Sequence, residues 1–232
     1  MTEPTPNPRV RPAQDRGPRR QPSVAGVEWW QRIARRIRVP LGFVTAVFYL
    51  YECAGREPHT AAIAWSLALV LPGLALRAAA SGTVKKNREL TVTGPYAHTR
   101  NPLYLGSMLI AAGFAVALLS WPVAVLIAVG FAIIYAPVIA SEERFLRATF
   151  PQFDAYCRNV PRLIPRLMPA KLKGINDLLP GPAPVTSDAP GGFTLTLYLQ
   201  HREYNSAIGA ALIYLSLLLL RPMLELLMRG IR

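Results

Sequence analysis

Two short polar stretches hold most of the side chains that could do chemistry. The first runs from Gly94 to Tyr104 and reads "GPYAHTRNPLY"; the second runs from Glu142 to Arg162 and reads "EERFLRATFPQFDAYCRNVPR". Asn101-Pro102 has the form of an N-cap followed by a first helical position. The free N–H groups of such a helix start carry partial positive charge and suit a carboxylate. Arg100 adds a full positive charge beside it, and Tyr104 lies one turn on. From the second stretch, Glu142 and Glu143 offer acceptors for an ammonium. Tyr96, Phe153 and Tyr156 could face a ring or a sulfonium through cation–π contact. A small zwitterion carrying both an ammonium and a carboxylate matches this set.

What must position these residues is the run between them. No Asp, Glu, Lys, Arg or His lies between Arg100 and Glu142, a length about twice what one helix needs to cross a bilayer. Midway, Ser120-Trp121-Pro122 can end one helix and start another. The spacing predicts a transmembrane hairpin with arms from Pro102 to Leu119 and from Pro122 to about Ala140. Each arm is roughly 27–30 Å long at 1.5 Å per residue, so both outer ends return to one membrane face. The two polar stretches are thereby brought together. Ala124, Ala128, Ala132, Ala136 and Ala140 form a small-residue stripe on the second arm, with Gly106, Gly113 and Ala117 on the first. The arms are expected to pack on each other along these seams.

The rest of the chain fits a membrane protein. Its 232 residues are 52% hydrophobic, with a formal net charge of +13. That charge alternates with apolar runs: nine Lys/Arg precede Val39, five lie from Arg77 to Arg100 and eight from Arg144 to Arg202. The pattern predicts a cytoplasmic N-terminus and a cytoplasmic active face, and argues against a nucleic-acid partner. Cys53 and Cys157 fall on opposite membrane sides and cannot pair. With three scattered histidines, no metal site is expected. No cleavable signal peptide is expected either, because a long polar segment precedes the first apolar run.

The expected fold is all-α: a polytopic membrane bundle of about five transmembrane helices, with a central hairpin and short cytoplasmic helices. Residues 1–27 form a disordered basic tail rich in Pro and Arg. Residues 28–80 hold an interfacial helix around Trp29-Trp30 and the first two spans, Val39 to Gly55 and Thr60 to about Ala80. Pro72-Gly73 is a kink signal, and Arg77 lies near the cytoplasmic edge. Residues 81–170 contain a basic loop with Lys85, Lys86 and Arg88, the hairpin, and the second polar stretch. Its helix should end before Pro151. Residues 171–204 are a Pro/Gly linker (Leu178 to Gly192) followed by "FTLTLYLQ", whose alternation predicts a short interfacial strand. Residues 205–232 hold a last apolar run, Asn205 to Leu220. Arg202 and Glu203 stand at its mouth.

The paired motifs, Gly-Pro-Tyr with Arg-Asn-Pro-Leu-Tyr and then Glu-Glu with a Tyr-containing stretch ending in Pro-Arg, resemble the isoprenylcysteine carboxyl methyltransferase family and its phospholipid methyltransferase relatives. The resemblance covers about Leu90 to Arg166. It implies a membrane enzyme that binds S-adenosylmethionine in a cytosol-facing pocket and methylates a lipophilic acceptor arriving from the bilayer. By position, Gly94, Pro95, Tyr96, Asn101, Pro102, Tyr104, Leu105 and Gly106 would line the cofactor pocket. Glu142 or Glu143 would hold the ammonium, and Tyr156 and Arg162 would complete the wall. Arg100 would orient the acceptor's carboxylate for attack on the methyl, with Tyr104 beside it as the second catalytic residue. Three positions depart from the family pattern: Asn101 stands for the common His, Pro151 for Gly and Phe153 for Tyr. A phospholipid amine N-methyltransferase, an NADPH-dependent reductase of a lipid double bond and a non-catalytic lipid-binding relative are the alternatives. Partners would be membrane lipids and a lipophilic or lipidated substrate.

Overall fold

The computed structural model describes residues 42–57, 59–84, 90–170 and 193–230. The basic tail, the Trp29-Trp30 segment, the Lys85–Arg88 loop and the Leu178–Gly192 linker lie outside the described residues. All regular elements within them are helical. In chain order they are α1 (42–55), α2 (Thr60–Thr83), a 3₁₀ turn (Gly94–Ala97), α3 (Pro102–Leu118), α4 (Trp121–Thr149), α5 (Phe153–Asn159), α6 (Leu195–Gln200) and α7 (Tyr204–Gly230). By length and apolarity α2, α4 and α7 can each cross a membrane, and α3 is a shorter apolar helix.

The hairpin forms where the sequence places it. Leu119 closes α3 in the left-handed region (φ 48°), and the Ser120 hydroxyl accepts from the Val123 N–H at the start of α4. Pro122 takes a first-turn position whose N–H would have no partner in any case. The turn is tied to the end of α1: Ser120 Oγ donates to Glu52 (2.6 Å), and Arg56 Nη1 donates to the Leu119 carbonyl (3.3 Å). The helical continuation of α4 stops at Thr149, before Pro151.

The hairpin arms do not pack along the expected seam. The glycines of α3 face α2 instead. A Cβ on Gly106 would lie 2.8 Å from the Gly73 carbonyl oxygen, one on Gly73 would lie 2.8 Å from the Gly106 carbonyl oxygen, and one on Gly113 would lie 2.9 Å from the Ser66 carbonyl oxygen. Backbone therefore meets backbone along α2–α3, the close approach that small residues permit inside lipid. The α4 alanines Ala124, Ala128, Ala132 and Ala136 instead floor an apolar groove of about 820 Å³ between α3 and α4. Bulky rings explain the difference. Tyr104 of α3 meets Tyr135 of α4 edge-on at 5.2 Å, Phe131 stacks on Tyr135 at 4.5 Å, and these rings prop the arms apart.

α7 runs beside α2 and α3 from one end of the bundle to the other. Glu203, just before its start, pairs with Arg77 (2.7 Å); halfway along, Tyr214 shares a hydrogen bond with Ser66 (2.6 Å) and packs on Phe114. At the far end Arg221 pairs with Glu57 (3.0 Å). The segment "FTLTLYLQ" is not a strand. No strand neighbours it among the described residues, and a lone strand would leave its backbone groups unpaired. It closes its own i to i+4 bonds as α6, and Thr194 anchors it by donating its N–H to the Gly82 carbonyl (3.0 Å).

Candidate active site

Both polar stretches meet at the end of the bundle away from the hairpin turn. The chain after α5 is laced to the chain before α3 by backbone and side-chain bonds. Arg100 donates its N–H to the Pro161 carbonyl (2.9 Å), Arg166 to that of His98 (3.0 Å) and Ala170 to that of Ala97 (3.0 Å). The Thr99 hydroxyl reaches the carbonyls of Arg162 and Leu163, each at 3.2 Å. Beneath this lacing lies a small apolar core of Leu90, Val92, Phe150, Phe153, Tyr156 and Val160. The buried Tyr156 hydroxyl donates to the Tyr96 carbonyl (2.7 Å). Burial pushes the phenols of Tyr96 and Tyr156 well above their usual range, so both stay neutral.

Glu143 is the hub. It is buried, and both its oxygens are held by guanidinium groups. Arg162 grips it with Nε (3.0 Å) and Nη2 (2.5 Å), and Arg100 Nη1 reaches it at 3.0 Å. Arg100 also donates to Cys157 Sγ (2.9 Å), while its Nε is buried without a hydrogen-bond partner among the described residues. Glu142, the next residue on α4, is exposed and accepts from the Tyr104 hydroxyl (3.0 Å). Successive helical residues point about 100° apart, so two adjacent glutamates serve two environments.

Two cavities meet here. A polar one of about 200 Å³ is lined by Tyr96, Arg100, Asn101, Glu142, Glu143 and Tyr156, with Val84, Leu90 and Thr91 at its edge and Phe150 and Phe153 behind. The apolar groove between α3 and α4 ends at Tyr104, Arg162 and Leu163. The pairs Tyr104–Glu142 and Arg162–Glu143 form the partition, each with one member lining either side.

Of the residues singled out by sequence, Tyr96, Arg100, Asn101, Glu142, Glu143 and Tyr156 therefore share one cavity, with Tyr104 and Arg162 on its apolar side. Gly94 (φ 58°) and Pro95 form the turn that delivers Tyr96, and Pro102 is buried in the first turn of α3. Leu105 lines neither cavity, and Gly106 belongs to the α2 contact. Asn101 holds the N-cap position of α3 without a side-chain cap bond; its Nδ2 donates to the Arg162 carbonyl (3.0 Å). Phe153 is buried against Tyr156, with Arg147 over its ring at 5.6 Å, and it lines the cavity.

Sequence reading missed the connection between Arg77 and Glu203. Arg77 Nε and Nη2 both donate to Glu203 Oε2 (3.1 and 2.7 Å), Nε also reaches Ser206 Oγ (3.2 Å), and Nη1 donates to Ser107 Oγ and to the Leu103 carbonyl (3.3 Å). An arginine inside an apolar helix was the available signal, since such a charge demands a partner.

Comparison with known proteins agrees with the geometry. Residues 65–152 match the phospholipid methyltransferase family. The cobalt-zinc-cadmium resistance protein CzcN of Cupriavidus metallidurans is 40% identical over 83 residues, which is 36% of this chain and 38% of that protein. The nickel-cobalt-cadmium resistance protein NccN of Alcaligenes xylosoxydans xylosoxydans is likewise 40% identical over 83 residues, 36% of this chain and 39% of its own length. The chain thus spans under two fifths of the length of these relatives in the match, and no solved structure matches it. The residues that match that family, 65–152, run from within α2 through the whole hairpin to just past the end of α4, so both the hairpin and the Glu142-Glu143 pair lie inside the match.

Proposed function

We propose that this chain is a membrane methyltransferase that takes S-adenosylmethionine in the polar cavity and a lipophilic acceptor in the groove. The observation that carries the reading is the thin partition between the two spaces, built from Tyr104–Glu142 and Arg162–Glu143. A polar methyl donor and an apolar acceptor need such a shared wall to bring their reacting atoms together.

The side chains present suit the donor. Glu142 is placed for the ammonium, because Glu143 is already spent on two arginines. Arg100 Nε, buried and unpaired at the cavity wall, is a donor for the carboxylate. The cavity is smaller than the ~300 Å³ at which small-ligand pockets usually begin. It would enclose the amino-acid end and leave the remainder at its mouth. When bound, the cofactor supplies an electrophilic methyl. Tyr96, Arg100 and Glu142 would hold the donor, and the partition residues Tyr104 and Arg162 would orient the acceptor against it and exclude water.

A lipid carboxylate is the favoured acceptor, an isoprenylcysteine-like end group included. With Glu142 matched to the ammonium, and the surplus charge of Arg100 and Arg162 over Glu143 matched to the donor's carboxylate, the sulfonium leaves the site with one positive charge in excess. That excess favours an anion at the partition over an amine. A carboxylate is ionised at neutral pH and needs no general base. The groove runs beside α4 from Trp121 to Ile139, roughly 27 Å at 1.5 Å per residue, room for an extended chain. The basic residues around the site end support a cytoplasmic face for it.

Two measurements test this reading. In nanodiscs, S-adenosylmethionine or its demethylated product is expected to raise the melting temperature, and a nicotinamide dinucleotide is not. Glu142→Gln should weaken that binding about tenfold, as loss of one charge-assisted contact does. A dinucleotide that stabilises more than the methyl donor would replace this function with a reductase. Separately, Ala132→Phe should fill the groove floor and suppress methyl transfer to long-chain acceptors while leaving donor affinity unchanged. Labelled methyl donor incubated with native membranes would then identify the acceptor; unchanged labelling in Ala132→Phe would count against the groove as its route.

A further inference from the structure

The matched stretch ends at Gln152, yet a charge within it that makes five hydrogen bonds among the described residues connects it to a residue beyond that limit. Arg77 donates to two groups of α3, the Leu103 carbonyl and Ser107 Oγ, and on its other side to Glu203 and Ser206. Leu103 and Ser107 bracket Tyr104, the residue that forms half of the partition. We propose that Glu203 and Arg77 are positioning residues of the site: through them the start of α7 fixes the rotation of the first turns of α3, and with it the reach of Tyr104 to Glu142.

Three features carry this. First, the pair is largely removed from water, with side-chain exposures of 21% for Arg77 and 13% for Glu203, so neither charge is readily satisfied by solvent. Second, the guanidinium uses its planar fork on both sides, toward α3 with Nη1 and toward Glu203 with Nε and Nη2, so a shift of Glu203 is transmitted as a rotation rather than absorbed. Third, α7 and the chain leading into it are clamped on α2 by other bonds. His201 Nδ1 lies 2.9 Å from the Ser81 carbonyl oxygen, and Ser66 meets Tyr214 several turns deeper.

The inference rests on the proposed methyl-donor site only for its functional reading; its structural content is testable without any cofactor. The variants are Glu203→Gln and, as a matched control on the same α2–α7 contact, Ser66→Ala. Amide hydrogen exchange of the full chain in nanodiscs should show Leu105 to Ser107 exchanging about tenfold faster in Glu203→Gln, as expected for loss of one charge-assisted bond. Ser66→Ala should leave that segment protected. S-adenosylmethionine should bind Glu203→Gln about tenfold more weakly and Ser66→Ala as tightly as the parent, even where both variants lose similar melting temperature. Glu203→Asp, which retains the charge, should recover part of the affinity. Unchanged exchange across Leu105–Ser107 in Glu203→Gln overturns the proposal whatever the cofactor does. Selective loosening in a protein whose parent form binds no S-adenosylmethionine would leave the positioning role standing and remove the methyltransferase reading instead.

Discussion

Glu143→Gln is expected to unfold the segment after α5, residues 160–170, and abolish cofactor binding together, whereas Glu142→Gln is expected to weaken binding and leave stability intact. The two residues are neighbours in sequence, and the contrast follows from their surroundings. Glu143 is buried and neutralises two guanidinium groups; without its charge, Arg100 and Arg162 face each other across a site with little water. Removing one partner of a buried ion pair costs about 3–5 kcal/mol, and because Arg162 is half-exposed (53%) the lower end, about 3 kcal/mol, applies. Arg162 opens the segment whose carbonyls hold Thr99 and Asn101, so its release frees the lacing over the cavity. Glu142 is exposed, and its loss removes only the Tyr104 contact and the proposed ammonium partner. Denaturation in mixed micelles, followed in parallel with donor titration, separates the two. A Glu143→Gln protein as stable as the parent would sink the assignment of Glu143 as the hub.

The second large effect lies in the α2–α3 contact. Gly106→Ala is expected to cost about 1–3 kcal/mol, the usual penalty for a methyl forced into a packed interface. The added carbon would meet the Gly73 carbonyl at 2.8 Å, and backbone cannot rotate aside as a side chain can. The helices must separate, and Arg77, which bridges them, loses its reach to Leu103 and Ser107. The melting temperature should therefore fall and donor affinity with it. By contrast, Gly209→Ala, on α7 with open space around it, should change neither. Wild-type stability in Gly106→Ala would mean that the helices do not approach this closely in the membrane.

The hairpin was legible because its signals are local: an uncharged run of bilayer-doubling length, a Ser-Trp-Pro break, and polar residues at both ends. Convergence of those ends follows from arm length alone. Which helix each small-residue face would choose was not legible. Gly106 and Gly113 say that α3 approaches something closely, but only the bulk of Tyr104, Phe131 and Tyr135 decides that it is α2 rather than α4. The division of labour between Glu142 and Glu143 depends on the rotation of α4 about its axis, which sequence spacing does not determine. Asn101 was read correctly as the residue opening α3, yet its amide serves the Arg162 carbonyl, a partner supplied by the fold. Glu203 was placed at the mouth of α7, but its meeting with Arg77 is a tertiary event. The eight residues of "FTLTLYLQ", misread as a strand, instead supply α6, with no neighbouring strand among the described residues to pair with them.

The alanine floor of the groove is bare to its surroundings along the length of α4. For the proposed membrane-dissolved acceptor, arrival would then be a sideways drift in two dimensions, past no door and no helix among the described residues. A slow conformational step would then fall to the proposed water-soluble donor, whose cavity is roofed by laced backbone. Turnover should accordingly respond to bilayer fluidity through the acceptor and to aqueous viscosity through the donor.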